Sequence, residues 1–452
     1  MDQKLFDLIV IGAGPGGIEA ALVAAKEKLS VCLISATKIG GRATWGSLVP
    51  SKVWLASAEK ADALKRTDDF AFEPVAEIPA LNLDKLRKKV GAQSQGASDR
   101  YLENLNTAGV HLLYGVATLH EDKKVVIAKE DHAPVEIYGR HIIIGSGSEP
   151  MFKPGIKPNM DHIIAPKIAS GIPKIPESLV MAGGGVTGTE YAYAFAALGT
   201  KVTILQNSDH LLPRLDEEVS LLFENYLTSH YPIEIVTNAT VESMIQADQK
   251  VVATTLDGRT FESEYGFIAI GRKADLSFIA EESMKPQLTE RNTVEVDDYC
   301  KTSIPGIYAI GDVTGAPMTA NRATMQARIA VSHILRGKES TLFPGVFIEA
   351  IYTSPAIAQI GDMSQDEDAL YITKSYSDLL KLNIRHKTEG FLKIKISKTS
   401  GLILGASGYG DHMPDVMAVI QVAMNNNLLY TDINKLPLAY PSVSELVTSL
   451  DG

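Results

Sequence analysis

The sequence predicts an α/β protein with two parallel-sheet units and a C-terminal part of different texture. Three observations predict it. A strand–glycine turn–helix–strand pattern spans residues 6–34 and returns at 178–205. Two apolar runs ending in glycine, Ile142 to Gly145 and Phe267 to Gly271, follow these units at comparable places. Beyond about residue 345, short strand-like pieces alternate with helical ones. A chain of 452 residues exceeds what one hydrophobic core can organise, so two to four domains are expected.

The elements follow in order. Phe-Asp-Leu-Ile-Val-Ile at 6–11 reads as a short buried strand. Gly12-Ala13-Gly14-Pro15-Gly16-Gly17 is the turn, an alanine-rich helix runs from Ile18 to Glu27, and a second strand from Ser30 to Ile34. In the second unit, Ser178 to Ala182 is the strand and Gly183-Gly184-Gly185-Val186-Thr187-Gly188 the turn. A helix from Thr189 to Leu198 and a strand from Lys201 to Leu205 complete it. Both are Rossmann-like. Glycine lets the backbone turn sharply and approach a pyrophosphate, whose charge then sits on a helix N-terminus. Gly12, Gly14 and Gly17, and Gly183, Gly185 and Gly188, are therefore candidate dinucleotide ligands; two glycine-rich turns without ligands are the alternative.

Ile307-Tyr308-Ala309-Ile310-Gly311-Asp312 is a strand delivering an aspartate at its C-terminal end. In the last part, Ala358 to Ile360, Gly390 to Ile396 and Leu402 to Ala406 read as strands. Asp415 to Asn425 and Ser442 to Leu450 read as helices.

Composition narrows the partners. The net charge of −11 argues against nucleic-acid or anionic-membrane binding. No apolar run reaches the length of a membrane span, and the N-terminal residues do not read as a signal peptide. The two cysteines, Cys32 in an apolar run and Cys300 as a semi-exposed thiol, fit a reducing, cytoplasmic location. No metal site is expected.

Residues 40–52 read Gly-Gly-Arg-Ala-Thr-Trp-Gly-Ser-Leu-Val-Pro-Ser-Lys. This segment resembles the redox cassette of the class I pyridine nucleotide-disulfide oxidoreductases, the dihydrolipoamide dehydrogenase-like flavoproteins, usually Gly-Gly-Thr-Cys-x-x-x-x-Cys-Ile-Pro-Ser-Lys. Ala43 and Leu48 occupy the cysteine positions. The resemblance covers almost the whole chain. It implies an FAD-binding domain at 1–150, an NAD(P)-binding domain at 151–275, a return to the FAD domain at 276–344, and an α+β dimerisation domain at 345–452. It also implies a homodimer.

The resemblance assigns roles. Gly41, Gly147, Asp312 and Gly271 belong to the cofactor sites, with Asp312 hydrogen-bonding the ribityl chain. Lys52 and Glu190 form an ion pair beside the flavin N5, where a cation stabilises negative charge on the ring. The family's His-Pro-x-x-x-x-Glu pattern reads Ala439-Tyr440-Pro441-Ser442-Val443-Ser444-Glu445 here, so Tyr440 replaces the histidine and Glu445 remains. A tyrosine with pKa near 10 is ionised to roughly one part in a thousand at pH 7 and cannot stand in for imidazole as a thiol base. Trp45-Gly46-Ser47 before Pro-Ser-Lys, together with Tyr-Pro-Ser near the end, resembles the soluble pyridine nucleotide transhydrogenase branch. That branch usually keeps one cysteine, which is absent here. Trp45 and Tyr440 are expected to fill or line the former disulfide side.

The ribose positions also depart from the pattern. An Asp or Glu about twenty residues beyond the loop normally grips the ribose diol. Ser35 and Gln206 stand there, each 21 residues beyond the middle glycine. Losing a charged acceptor costs of order 1.5–3 kcal/mol, roughly 10–100-fold in affinity. Gln206 does not repel a 2′-phosphate and can hydrogen-bond a diol, so NAD and NADP are both admitted; His210 and Arg214 flank the turn.

The expected function is an FAD-dependent NAD(P)H oxidoreductase without a redox disulfide. It would pass hydride through flavin to a second nicotinamide nucleotide, or to a quinone, oxygen or another small acceptor. The alternative is a non-catalytic flavin- or nucleotide-binding relative.

Overall fold

The computed structural model describes residues 5–73, 79–129, 132–337 and 345–448. The described chain forms two compact units. One is built from residues 1–50, 88–151 and 272–345, the other from 51–87, 152–271 and 346–452.

The first unit is organised by a seven-stranded sheet. Four strands follow the order His111–Tyr114, Val31–Ser35, Leu5–Ile11 and His132–Ile144, with Ile307–Ala309 also paired to the last of them. His132–Ile144 serves two pairings. Its first half runs antiparallel to Lys124–Lys129, while its second half runs parallel to Leu5–Ile11 and Ile307–Ala309. Alternate side chains feed opposite faces. Leu8, Val10, Leu33 and Ile143 pack with Ala20, Ala24, Ala327 and Val331 from the helices Pro15–Lys26 and Ala320–Arg336. Ile9, Ile11, Cys32, Ile34, Ile142 and Ile144 face the other way, onto Leu119, Val125 and Phe278. Burial on both faces explains the continuous apolar runs.

The second unit holds a parallel sheet in the order Ile233–Val236, Lys201–Leu205, Ser178–Ala182, Tyr265–Ile268 and Ile163–Ile164. A three-stranded antiparallel sheet spans Val241–Ser263. The C-terminal sheet is antiparallel, in the order Glu349–Ile351, Ala356–Gly361, Ile403–Gly410, Phe391–Ser397 and Ala369–Ser375. Its apolar face packs on the helix Met413–Asn425 through Ile360, Ile394, Ala406, Met417 and Ile420.

Several expectations are corrected. Both glycine-loop helices begin one turn earlier than predicted, at Pro15 and at Val186, with Gly14 and Gly185 as extended N-caps. Pro15 has the fixed φ that suits a first helical residue, and the last glycine of each motif is already helical. The predicted helix Ser442 to Leu450 is instead a 3₁₀ segment, Val443–Val447, followed by an extended Thr448. A reciprocal cap, Ser442 with Glu445, closes one tight turn, and nothing continues it within the described residues; 449 and 450 lie outside them. Cys300 is buried, not semi-exposed, and burial pushes its thiol up to about 12. Cys32 is buried as well, and no disulfide joins the two. Among the described residues, no helix is long and apolar enough to cross a membrane.

Candidate functional site

The first unit presents a dinucleotide cradle. Gly12 ends its strand at φ +106°, where a Cβ would collide with the Gly145 carbonyl. Only glycine takes this turn without strain. Gly17 packs its helix onto the Gly12 carbonyl, and Gly14 faces open space at the helix N-terminus. The Gly40–Gly41 turn closes against the loop at 12–17, since the Gly40 N–H donates to the Ala13 carbonyl at 2.9 Å. Gly41 lies against Gly14.

Behind this cradle stands Asp312, in the 3₁₀ turn Gly311–Thr314. Gln326, from the helix Ala320–Arg336, accepts the Gly311 N–H at 2.7 Å and fixes that turn. The Ser148 hydroxyl, one residue past Gly147, donates to the Asp312 carboxylate. Arg272 donates to the Ser148 hydroxyl at 2.8 Å and lies 3.7 Å from Asp312. Burial pulls the Arg272 pKa below its ordinary value; Asp312 opposes this and Arg42 adds to it. Arg42 lies 4.0 Å from Glu149, and its Nη1 is buried without a hydrogen-bond partner among the described residues. An open helix N-terminus and two arginines, one with an orphaned donor, fit the pyrophosphate of a dinucleotide.

Ser35 does not face this role with a free hydroxyl. It is buried at the end of its strand, and its Oγ donates to the Thr37 carbonyl at 2.8 Å. Trp45 likewise turns onto its own loop. Its indole N–H donates to the Ile39 carbonyl at 2.9 Å, and Lys38 sits 4.2 Å above its ring.

The second unit repeats the cradle. Gly183 turns at φ +99° beneath the Ala269 carbonyl, Gly188 packs on the Gly183 carbonyl, and Gly185 faces open space. Gly271 follows at φ +120°. Gln206 corrects the expectation of an amide available to a ribose. Its oxygen accepts the Gly184 N–H at 2.8 Å, its nitrogen donates to the Ser208 hydroxyl, and the side chain is buried. Ser208 in turn donates to the His210 carbonyl. Arg214 pairs with Glu349 at 3.0 Å.

The same unit brings together two predicted residues from distant segments. Lys52 Nζ lies 2.7 and 2.9 Å from the two Glu190 carboxylate oxygens. Glu190 is buried on the helix Val186–Ala197, and Lys52 is about one-third exposed on Leu48–Leu64. Sequence reasoning missed a third member. The Tyr352 N–H donates to Glu190 Oε1 at 3.0 Å, and the Tyr352 ring lies 4.4 Å from Lys52 Nζ. Burial, then the charges of Glu190 and Asp415, hold the Tyr352 phenol above its ordinary pKa.

Ala43 directly follows Arg42, and Leu48 begins the helix that carries Lys52 one turn later. Ala43 is partly buried and Leu48 exposed. Tyr440 is 69% exposed in the single chain, and the Glu445 carboxylate accepts the Ser442 N–H at 2.8 Å within its own turn. No metal-ligating cluster occurs among the described residues. Arg42, Arg272 and Ser148 were missed because their partners are far away in sequence; the arginine at a position usually held by threonine was the available signal.

The family model for the pyridine nucleotide-disulphide oxidoreductases matches residues 6–327, and the model for the dimerisation domain of that family matches 348–450. The chain is 28% identical to an NAD(P)H dehydrogenase (quinone) of Mycobacterium tuberculosis, over 98% of this chain and 92% of that protein. It is 30% identical to a dihydrolipoyl dehydrogenase of Bacillus subtilis, over 97% and 96%. The crystal structure of LpdA from Mycobacterium tuberculosis superposes with a TM-score of 0.91 at 27% identity, over 98% of both chains. That of the HOCl-induced flavoprotein disulfide reductase RclA from Escherichia coli, at 22% identity and a TM-score of 0.86 over 99% and 98%, shares the fold.

Proposed function

The chain belongs to the pyridine nucleotide-disulphide oxidoreductases and is an FAD-dependent NAD(P)H oxidoreductase; we propose that it works without a redox disulfide. The observation that carries this reading is the coexistence of Ala43 and Leu48 at the cysteine positions with an intact Lys52–Glu190 pair at 2.7 Å. Bound FAD supplies the ring that takes hydride from NAD(P)H and returns electrons to an acceptor.

Each part of the chain has a task in this reading. Gly12, Gly14, Gly17 and Gly41 admit the FAD pyrophosphate, with Arg42 as counter-charge. Asp312 meets the ribityl hydroxyls, oriented by Ser148 and Arg272, beside Gly147. Ser35 leaves the adenosine ribose without a charged acceptor. Gly183, Gly185, Gly188 and Gly271 receive the nicotinamide nucleotide. Gln206 is engaged within its own loop, so it selects neither NADH nor NADPH. Lys52 places positive charge beside the flavin, and Glu190 keeps that ammonium in place. Tyr440 and Glu445 have no thiol to serve. The 1–150, 151–275, 276–344 and 345–452 division is the functional one, and the dimerisation domain pairs two copies in a cytoplasmic enzyme.

A second nicotinamide nucleotide is the acceptor in this reading. A quinone is the second reading, favoured by the relative named NAD(P)H dehydrogenase (quinone). The test is to bleach the yellow protein with NADPH without oxygen, then mix it with thio-NAD or with menadione. Fast return of colour with thio-NAD supports the transhydrogenase reading, and fast return with menadione alone supports the quinone. A protein that never bleaches is the non-catalytic relative. Measurable lipoamide reduction by homogeneous protein contradicts the absence of dithiol chemistry.

A further inference from the structure

We propose that Tyr352 is a positioning residue that clamps the Lys52–Glu190 pair. The inference rests on the reading that Lys52 acts on the flavin.

A lysine is a poor fixed charge by itself. Its stem has four rotatable carbons, its ammonium is strongly hydrated, and about one-third of the Lys52 side chain is exposed. Glu190 holds it from one side only. Tyr352 supplies two further contacts from one residue. Its N–H donates to Glu190 Oε1 at 3.0 Å, the same oxygen that accepts Lys52 at 2.7 Å, and so fixes the carboxylate. Its ring lies 4.4 Å from the Lys52 ammonium, within range for attraction to the electron-rich face of an aromatic ring. Both contacts come from one hydrogen-bonded turn, in which Tyr352 is 48% exposed. Tyr352 directly follows the strand Glu349–Ile351, which is paired to Ala356–Gly361, and the buried Thr353 donates its hydroxyl to the Pro355 carbonyl at 2.6 Å. The N–H contact is the backbone's and survives a change of side chain, whereas the contact with the ammonium belongs to the ring alone.

The ring contact can be removed by Tyr352→Leu and kept by Tyr352→Phe. The holoenzymes of both, with Lys52→Met and wild type, are compared by dye-equilibrated reduction, which reads the flavin midpoint potential. Lys52→Met lowers the reduction equilibrium by about 10-fold or more, which is about 30 mV for a two-electron couple. Tyr352→Leu lowers it in the same direction by about 3- to 10-fold. Tyr352→Phe stays within about 2-fold of wild type, because the aromatic face is retained. A second readout needs no electron transfer. Acylation of Lys52, followed by peptide mass spectrometry, runs faster in Tyr352→Leu and at the wild-type rate in Tyr352→Phe. A shifted potential in Lys52→Met with wild-type potential and labelling in Tyr352→Leu overturns the clamp. An unshifted Lys52→Met overturns instead the reading of Lys52, and the labelling rates then decide the clamp alone.

Discussion

At Gly12 and at Gly183 the chain makes the same left-handed turn, with φ of +106° and +99°, beneath the carbonyls of Gly145 and Ala269. Gly17 and Gly188 then press their helices onto the turn, and Gly14 and Gly185 leave open space. One backbone solution serves both cradles. The difference lies 21 residues on. Ser35 donates into its own turn, in a unit where Arg272 lies 3.7 Å from Asp312 and Arg42 lies close enough to Arg272 to lower its pKa. Gln206 is wired to Gly184 and Ser208, and the nearby Arg214 is paired with Glu349. The first unit thus holds two neighbouring arginines, whereas the polar side chains beside the second loop are engaged with their own surroundings. In the proposed function the first holds its dinucleotide and the second exchanges it.

The largest effects are expected from breaking the shared feature. Gly12→Val forces a side chain into the Gly145 carbonyl at a positive φ, and the purified protein should be colourless, with FAD affinity down by more than about 100-fold. Gly183→Val should stay yellow but resist bleaching by NADH. If both variants are colourless, or both bleach, the assignment of one cradle to each nucleotide is wrong.

Next comes the second cradle alone. In Gln206→Glu a carboxylate keeps the Gly184 N–H and has lone pairs left for a ribose diol, while repelling a 2′-phosphate. The ratio of kcat/KM for NADH over NADPH should rise by roughly 10–100-fold. An unchanged ratio would place the adenosine ribose elsewhere. The corresponding change in the first cradle, Ser35→Asp, should tighten FAD by about 10-fold in a fluorescence titration of the FAD-free protein.

The smallest effect belongs to a support of the loop that follows Gln206. Glu224 accepts the Leu211 N–H in the segment following Gln206, and burial raises its carboxyl above the usual range although that bond opposes the shift. A proton bound more tightly in the folded chain favours folding below the ordinary carboxylate pKa, and that advantage fades as pH rises through the raised value. Glu224→Gln cannot titrate. Its melting temperature should therefore gain slightly on wild type as pH rises above the ordinary carboxylate pKa; a constant difference would contradict the burial effect.

Legibility followed burial and range. Ser178–Ala182 and Lys201–Leu205 were readable residue for residue, because strands buried between helices are continuous apolar runs bounded by glycine or polar residues. The segment after Ser442 was not readable, because Ser442 and Glu445 cap one short turn as well as they would a helix. The Lys52–Glu190 pair was legible through its motif. Tyr352, 162 residues from Glu190, was not, since no local pattern encodes a contact made by a backbone N–H and a ring face together. The position of Gln206 is legible from its spacing, but its engagement with Gly184 is not, because its partners are the loop it was expected to serve.

The count of electrons taken up under anaerobic conditions tests the central claim most directly. NADH added stepwise to the yellow holoenzyme should bleach it completely at one equivalent per FAD. A requirement for two equivalents, with flavin colour persisting through the first, would reveal a second two-electron centre and contradict an account in which flavin works alone.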